Sequence, residues 1–145
     1  MKALIQRVSE ASVNIESKTY SKVQYGMCIF LGIKKNDNTI NVHHLVDKIV
    51  KLRIFSDIDG KMNKSIQDIS GDILVVSQFT LYADCTGGNR PSFQNSANKL
   101  NASPLYQLFI NLLKEKKINV QSGKFGANMN IKLKNEGPVT LMLEI

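Results

Sequence analysis

Short segments rich in apolar and β-branched residues open this chain. Residues 3–8 and 11–15 are of this kind, and residues 26–33 form a mostly apolar run that contains an aromatic side chain. Because β-branched and aromatic side chains pack well on the pleated surface of a sheet, the pattern predicts three strands. Their closeness in sequence favours an antiparallel sheet near the N-terminus.

Apolar residues later recur at helical spacing in two segments. Asn38 or Thr39 can cap the first helix, and the second is predicted to start with Ser103 as its cap and Pro104 in its first turn. The second helix should end at the lysine-rich residues 114–117. The apolar faces consist of Ile40, Val42, Leu45, Val46, Ile49 and Val50 in the first helix and of Leu105, Leu108, Phe109, Leu112 and Leu113 in the second.

The remaining segments are predicted to be strands and turns. A turn at residues 57–60 precedes a loop, and Gly71-Asp72 opens a strand that carries residues 77–81. Two or three strands follow, at residues 118–121, 127–134 and 139–144, with a loop at 123–126. The predicted fold is α+β: a single domain over residues 1–145, with a mostly antiparallel, barrel-like sheet packed against about two helices.

Composition and charge narrow the class of protein. The chain has 145 residues, 43% of them hydrophobic, and no apolar run approaches the roughly 20 residues of a membrane span. Charged residues interrupt the N-terminus too early for a signal peptide, so we expect a cytoplasmic protein without membrane association. The net charge of +7 favours polyanionic partners, although a solvated lysine face would give the same count.

The cysteines and histidines of the sequence give little support to a metal site, a disulfide or catalysis by histidine. Cys28 lies in an apolar run and Cys85 in a polar loop, and neither has a second ligand at metal-binding spacing, so we expect no disulfide, metal or cofactor. The only histidines are His43 and His44, and the polar helical face predicts that both face solvent. This argues against an acyl-enzyme mechanism that depends on histidine.

Two polar motifs lie beside predicted strands and resemble those of a known family. The first is Ser77-Gln78-Phe79-Thr80-Leu81, continued by Arg90-Pro91-Ser92-Phe93, and the second is Asn135-Glu136-Gly137-Pro138-Val139-Thr140. Together with residues 3–8, 31–33, Asp37 and 123–129, they resemble the D-aminoacyl-tRNA deacylases over essentially the whole chain. The resemblance implies hydrolysis of the ester of D-aminoacyl-tRNA, rejection of L-aminoacyl-tRNA, and a homodimer with its active site at the subunit interface. Unpaired strand edges would give such a dimer a physical motive.

Gly137-Pro138 is the motif with the sharpest implied role. From the residues alone a simple turn is the favoured interpretation, whereas the resemblance implies a cis dipeptide that enters the partner's site as a chirality gate. A rigid backbone carbonyl there would admit the substituent of a D-amino acid and collide with that of an L-amino acid. We therefore expect tolerance of many side chains and some activity on glycyl-tRNA. The resemblance also implies that Arg7 holds the gate and that Ser77, Phe125 and Met129 contact the substrate or line its pocket.

The first motif carries the expected chemistry. An aminoacyl ester is reactive, and its neighbouring ribose 2′-hydroxyl can assist, so orientation and oxyanion stabilisation should suffice. Backbone N–H groups around Gln78, Phe79 and Thr80 can supply both. Thr80 itself has three open interpretations: a nucleophile, a polar positioning group, or a packed strand residue.

The loop between the two halves of the first motif can approach the RNA. Gly88 makes its backbone adaptable, and Arg90 supplies a cation for the terminal phosphates or ribose. Gly87 stands where the family commonly has lysine, and Glu136 replaces a more usual aspartate. A non-catalytic RNA-binding module is the alternative function, and a dimeric scaffold is a third.

Overall fold

The long N-terminal strand organises the sheet. In the computed structural model, which describes residues 1–145, β1 (Lys2–Ile15) is one strand of 14 residues rather than the two shorter strands predicted. Its N-terminal half pairs with β3 (Gly26–Gly32) and its C-terminal half with β2 (Lys18–Val23), which the sequence pattern did not predict. The opposite edge of β1 pairs along its length with β8 (Asn130–Glu144). β8 likewise joins the two strands predicted at 127–134 and 139–144.

The centre of the sheet contains the most apolar strands. β6 (Asp72–Ser77) pairs in parallel with β3, and β7 (Asn119–Ser122) pairs in parallel with β6. All three pairings of β1 are antiparallel, so the α+β fold with a mostly antiparallel, nearly closed sheet is confirmed. A separate small hairpin of β4 (Phe55–Ser56) and β5 (Met62–Lys64) encloses the predicted turn at 57–60.

Two hydrophobic cores cover the two faces of this sheet. The larger contains 25 buried residues and lies between the sheet and both helices, whereas the smaller contains seven. β3 contributes Ile29 to the larger core and Cys28 to the smaller one, which explains its continuous apolar run. Register shifts in β1 at residues 6–10 bend the strand, so that Ile5 belongs to the first core and Val13 to the second.

The two helices differ in how well the sequence predicts where they begin. α1 (Thr39–Val50) has Asn38 as its N-cap, which is one of the two caps predicted, and Asn38 forms a reciprocal capping box with Asn41. α2 (Lys99–Glu115) begins earlier than predicted, and the assignment of Ser103 as cap was wrong. The cap is Asn98, whose side chain accepts the Asn101 N–H at 3.0 Å. Pro104 therefore lies inside the helix, where it removes a single backbone donor.

The end of β6 differs from the prediction in a way that shapes the site. The strand stops at Ser77 and the chain forms a 3-10 helix at Phe79–Tyr82, so the polar motif does not continue as a strand. Neither α1 nor α2 is long and apolar enough to cross a membrane.

Candidate active site

The start of the 3-10 helix presents free backbone donors. Gln78 is anchored because its own N–H donates to the Leu31 carbonyl at 2.8 Å, so it is not available to a ligand. The next two N–H groups, of Phe79 and Thr80, lie before the first hydrogen-bonded turn of the helix. They have neither an intrahelical acceptor nor a capping side chain. Both residues are exposed. Two adjacent donors of this kind can bind one oxyanion.

The Thr80 hydroxyl already has a partner. It accepts a hydrogen bond from the side-chain amide of Gln78, two residues earlier. No carboxylate or histidine contacts it, and His43 and His44 are exposed on α1, away from this end of β6. The hydroxyl therefore lacks a base that could activate it as a nucleophile.

A cavity of about 200 Å³ opens beside these donors. Ser77, Gln78 and Phe79 form one side of it and Phe125 another, so four residues predicted from the sequence meet there. Phe125 packs against Tyr106, with ring centroids 5.4 Å apart. The Tyr106 hydroxyl donates to the Val75 carbonyl at 2.9 Å, which ties α2 and Phe125 to the strand that ends at the donors. Burial raises the pKa of Tyr106, which keeps the hydroxyl protonated as a donor.

Met129 lies in a neighbouring cavity that shares the same wall. This second space, of about 270 Å³, is also lined by Ser77, Gln78 and Phe79. Met129 is held there by close packing against Gly123: a Cβ on Gly123 would lie 2.6 Å from the Met129 sulfur. The predicted pocket residues thus flank the motif from both sides.

Sequence reasoning assigned no role to three contacting residues, although Phe93 belongs to the first motif. Ser96 donates from its hydroxyl to the Phe79 carbonyl at 2.8 Å and thereby fixes the first peptide of the 3-10 helix. Phe93 stacks edge-on against Phe79, with centroids 4.9 Å apart. Lys99 lines the first cavity from the first position of α2. Placing the start of α2 at Ser103 concealed Ser96 and Lys99, because it left both in an undefined loop.

Gly137-Pro138 forms an exposed bulge on β8. Four residues, 136–139, lie opposite the single residue Arg7 of β1, and the Gly137-Pro138 peptide is cis. Asn135 closes the bulge, since its side chain accepts the Val139 N–H at 3.3 Å and donates to the Thr140 hydroxyl at 2.8 Å. Both Gly137 and Pro138 are exposed.

Arg7 lies beneath this bulge and is only 7% exposed. Its Nη1 donates to the Ile54 carbonyl at 2.6 Å and its Nε to the Glu136 carbonyl at 3.2 Å. The Glu136 carboxylate lies 2.6 Å from Nε and adds an ion pair, although the N–H itself points to the carbonyl. Gly137 has φ +116°, and a Cβ there would lie 2.7 Å from Arg7 Nη2. The close approach of the guanidinium therefore requires glycine.

The bulge and the cavity are far apart within one chain. Arg7 pairs with Met27 of β3, which pairs with Ile73 of β6, whereas Ser77 lies four residues further along β6. Four residues of strand span about 13 Å and two interstrand steps about 10 Å, which separates Arg7 from Ser77 by about 16 Å along the sheet, and the bulge on β8 lies one strand further away. Neither Gly137 nor Pro138 lines either cavity.

The remaining predicted residues lie on an exposed loop. Asp84 and Ser92 bond to each other through their backbones at 2.8 Å and close this loop, which carries Gly88 and Arg90. Hydrogen bonds from the Thr86 N–H and hydroxyl lower the pKa of Asp84. Arg90 has no ion pair and does not line either cavity.

Comparison with known proteins identifies the family of this chain. The family model described as D-Tyr-tRNA(Tyr) deacylase matches residues 4–144. The D-aminoacyl-tRNA deacylase of Petrotoga mobilis is 51% identical and that of Thermosipho africanus 49% identical, each over 99% of this chain and 97% of the relative. The chain therefore belongs to the D-Tyr-tRNA(Tyr) deacylase family, whose members are hydrolases.

Two solved structures have the same fold. A c-Myc DNA unwinding element binding protein is 39% identical, with a TM-score of 0.93 over 100% of this chain and 99% of that one. A probable eukaryotic D-amino acid tRNA deacylase superimposes with a TM-score of 0.84 over 99% and 98% of the two chains. At 18% identity, the second shows likeness of fold alone.

Proposed function

We propose that this enzyme hydrolyses the ester bond of D-aminoacyl-tRNA, releases the free D-amino acid and tRNA, and rejects L-aminoacyl-tRNA. The observation that carries the proposal is the pair of unpaired N–H groups, of Phe79 and Thr80, at the wall of the cavity. Family membership supplies the substrate class. Such an activity proofreads chirality during translation, in the cytoplasm.

The proposed reaction needs no protein nucleophile. Water adds to the ester carbonyl carbon, and the carbonyl oxygen takes up negative charge while the two N–H groups donate to it. The tetrahedral intermediate then collapses, the bond to the ribose oxygen breaks, and that oxygen takes the proton that water has lost. The neighbouring 2′-hydroxyl of the RNA relays this proton. Thr80 acts as a positioning group, because its hydroxyl is held by Gln78 and no base contacts it.

A homodimer would complete the site. The bulge at Gly137-Pro138 lies one strand beyond Arg7, which is itself about 16 Å from Ser77 along the sheet of the same chain, so it reaches a cavity only by entering that of a partner. Its exposure on an edge strand makes that entry possible. In the proposed dimer, Arg7 holds the gate of one protomer above Phe125 and Met129 of the other. A gate built from main chain reads the α-carbon, so it tolerates many side chains and only partly excludes glycyl-tRNA.

The RNA end of the substrate requires cationic contacts. Arg90 is free of ion pairs, and we propose that it contacts the terminal ribose or phosphates while Gly88 lets the loop adapt. Gly87 adds no side chain at the position where the family commonly has lysine.

A second candidate is nucleic-acid binding without catalysis. Its support is the net charge of +7 and the likeness to a protein named for binding a DNA unwinding element. The two candidates differ in one observable, because a binding module would retain charged and uncharged tRNA equally and leave the ester intact.

The test compares hydrolysis of D-tyrosyl-tRNA and L-tyrosyl-tRNA by purified protein, with a chelator present throughout. We expect rapid release of D-tyrosine and L-tyrosine release at the rate of the uncatalysed control. If neither ester is hydrolysed while tRNA is still bound, the binding module is the correct account.

A further inference from the structure

Three lysines belong to two chain segments that line the first cavity, the one of about 200 Å³. Lys34, Lys35 and Lys99 form what we call the lysine rim; all three are exposed and none takes part in an ion pair. The nearest carboxylate in sequence, Asp37, is engaged by the Met1 ammonium at 2.9 Å and by the Lys34 N–H. The three side-chain charges are therefore available to a ligand.

The fold brings these lysines together from two distant segments. Lys34 pairs with Ser96 in an antiparallel bridge, the Lys35 N–H donates to the Asn95 carbonyl at 3.2 Å, and the Ala97 N–H donates to the Ile33 carbonyl at 2.9 Å. Lys99 follows two residues later as the first residue of α2.

The rim borders the cavity directly. Ile33, Ala97 and Lys99 all line it, so the two rim segments form part of its wall. The Lys99 ammonium lies 3.9 Å from the position that a Cβ would occupy on Gly126, another lining residue. Lys99 thus spans part of the opening.

We propose that the lysine rim binds the phosphates of the single-stranded 3′ end of the tRNA, in the nucleotides that immediately precede the aminoacylated one. This inference rests on the proposed function, which places the terminal ester in the cavity. A strand that enters the cavity must carry its phosphates past Lys99 and past the paired segment that carries Lys34 and Lys35. α2 begins at Lys99, and the partial positive charge of its N-terminus adds to the attraction.

The other lysine cluster of the chain is less suited to this role. Lys22 and Lys134 both contact Glu10, at 3.2 and 2.7 Å, so the carboxylate offsets part of their charge. The cleft that they line with Lys132 contains none of the residues of the first cavity. We therefore predict the RNA contact from the unpaired lysines beside the cavity and not from the total number of basic residues.

The test compares a rim variant with a control that loses the same charge. The rim variant combines Lys34→Ala, Lys35→Ala and Lys99→Ala, and the control combines Lys18→Ala, Lys51→Ala and Lys114→Ala, which are exposed and make no ion pair. Each protein is given D-tyrosyl-tRNA and the D-tyrosyl ester of adenosine, which has no phosphate. Affinity for uncharged tRNA is measured over a range of salt concentrations.

We expect the ratio of kcat/KM for tRNA to that for the adenosine ester to fall about tenfold in the rim variant and to stay within twofold in the control. The slope of log K against log salt should fall by about 2, since each contact to single-stranded phosphate contributes about 0.7. Equal ratios and equal slopes in the two variants would overturn the proposal that the lysine rim binds the tRNA phosphates. If the wild type hydrolyses neither ester, the deacylase proposal fails instead, and the slope alone decides whether the rim binds RNA.

Discussion

Removing a single backbone N–H should separate oxyanion stabilisation from every other contribution of the site. Phe79→Pro deletes the Phe79 donor, and Phe79→Ala is the matched control that loses the ring and keeps the N–H. The structure tolerates proline there, because position 79 is the first of the 3-10 helix and its N–H has no internal acceptor. Gln78, with φ −143° and ψ 78°, lies outside the α region that a following proline disfavours.

The expected loss of rate in each variant follows from the exposure and the contacts of Phe79. Phe79 is 56% exposed, so its truncation removes little buried surface and mainly the edge-on contact with Phe93, worth about 1 kcal/mol. We expect Phe79→Ala to slow hydrolysis less than about fivefold. Loss of one of two oxyanion donors costs about 3 kcal/mol of transition-state stabilisation, so Phe79→Pro should be slower than Phe79→Ala by a further factor of about 100 to 1000.

The assay is single-turnover hydrolysis of D-tyrosyl-tRNA with enzyme in excess, which reports the chemical step. Thermal unfolding of both variants checks that the fold survives. Equal rates for the proline and alanine variants, with both folded, would refute the assignment of the Phe79 N–H as an oxyanion donor.

Three further perturbations test other parts of the site and the core. Thr80→Ala should retain most of the single-turnover rate, because the hydroxyl has no base; a loss of a thousandfold would reinstate it as the nucleophile. Arg7→Met should lower the free energy of unfolding in urea by about 2 kcal/mol, since it leaves the Ile54 carbonyl unpaired, and should reduce the D/L rate ratio; an unchanged ratio would remove Arg7 from the gate. Burial raises the pKa of Cys28 from 9.0 to about 12, so the folded state keeps a proton that the unfolded state loses above pH 9. The wild type should therefore lose up to about 1.4 kcal/mol per pH unit relative to Cys28→Ala between pH 9 and 11, measured by urea unfolding; parallel pH profiles would contradict this.

Local patterns predicted the parts of the fold that local interactions determine. The cap at Asn38 and the spacing of apolar residues placed α1 correctly, because capping and amphipathicity act within a few residues. The start of α2 was wrong for an instructive reason. Ser103-Pro104 has the ordinary features of a helix start, but the Asn98 cap and the packing of Ala102 extend the helix before it.

Strand continuity depends on partners that are distant in sequence. β8 continues through Gly137-Pro138 because it pairs with β1 on both sides of the bulge. Nothing within residues 127–144 indicates that pairing. The predicted residues Ser77, Gln78, Phe79 and Phe125 do meet at one cavity. Lys99 and Ser96 could not be predicted, since their roles follow from pairing between residues 33–35 and 95–97.

The central claim is that one protomer supplies the oxyanion donors and its partner supplies the gate. Mixing two defective variants tests it most directly. Phe79→Pro removes the donor, and Gly137→Ala displaces the gate, because its Cβ would lie 2.7 Å from Arg7 Nη2 at a residue with φ +116°. After subunit exchange, each mixed dimer contains one intact composite site.

The measurement is the rate of L-tyrosyl-tRNA hydrolysis by an equal mixture of the two variants, before and after subunit exchange, with D-tyrosyl-tRNA as the reference. Before exchange, half of all sites have donors without a gate and hydrolyse both esters. After exchange, half of the dimers are mixed, so only a quarter of all sites are of this kind and another quarter are intact. We therefore predict that the L rate falls by half while the D rate is unchanged. An unchanged L rate, although the exchanged dimers are shown to form, would contradict a site shared between protomers.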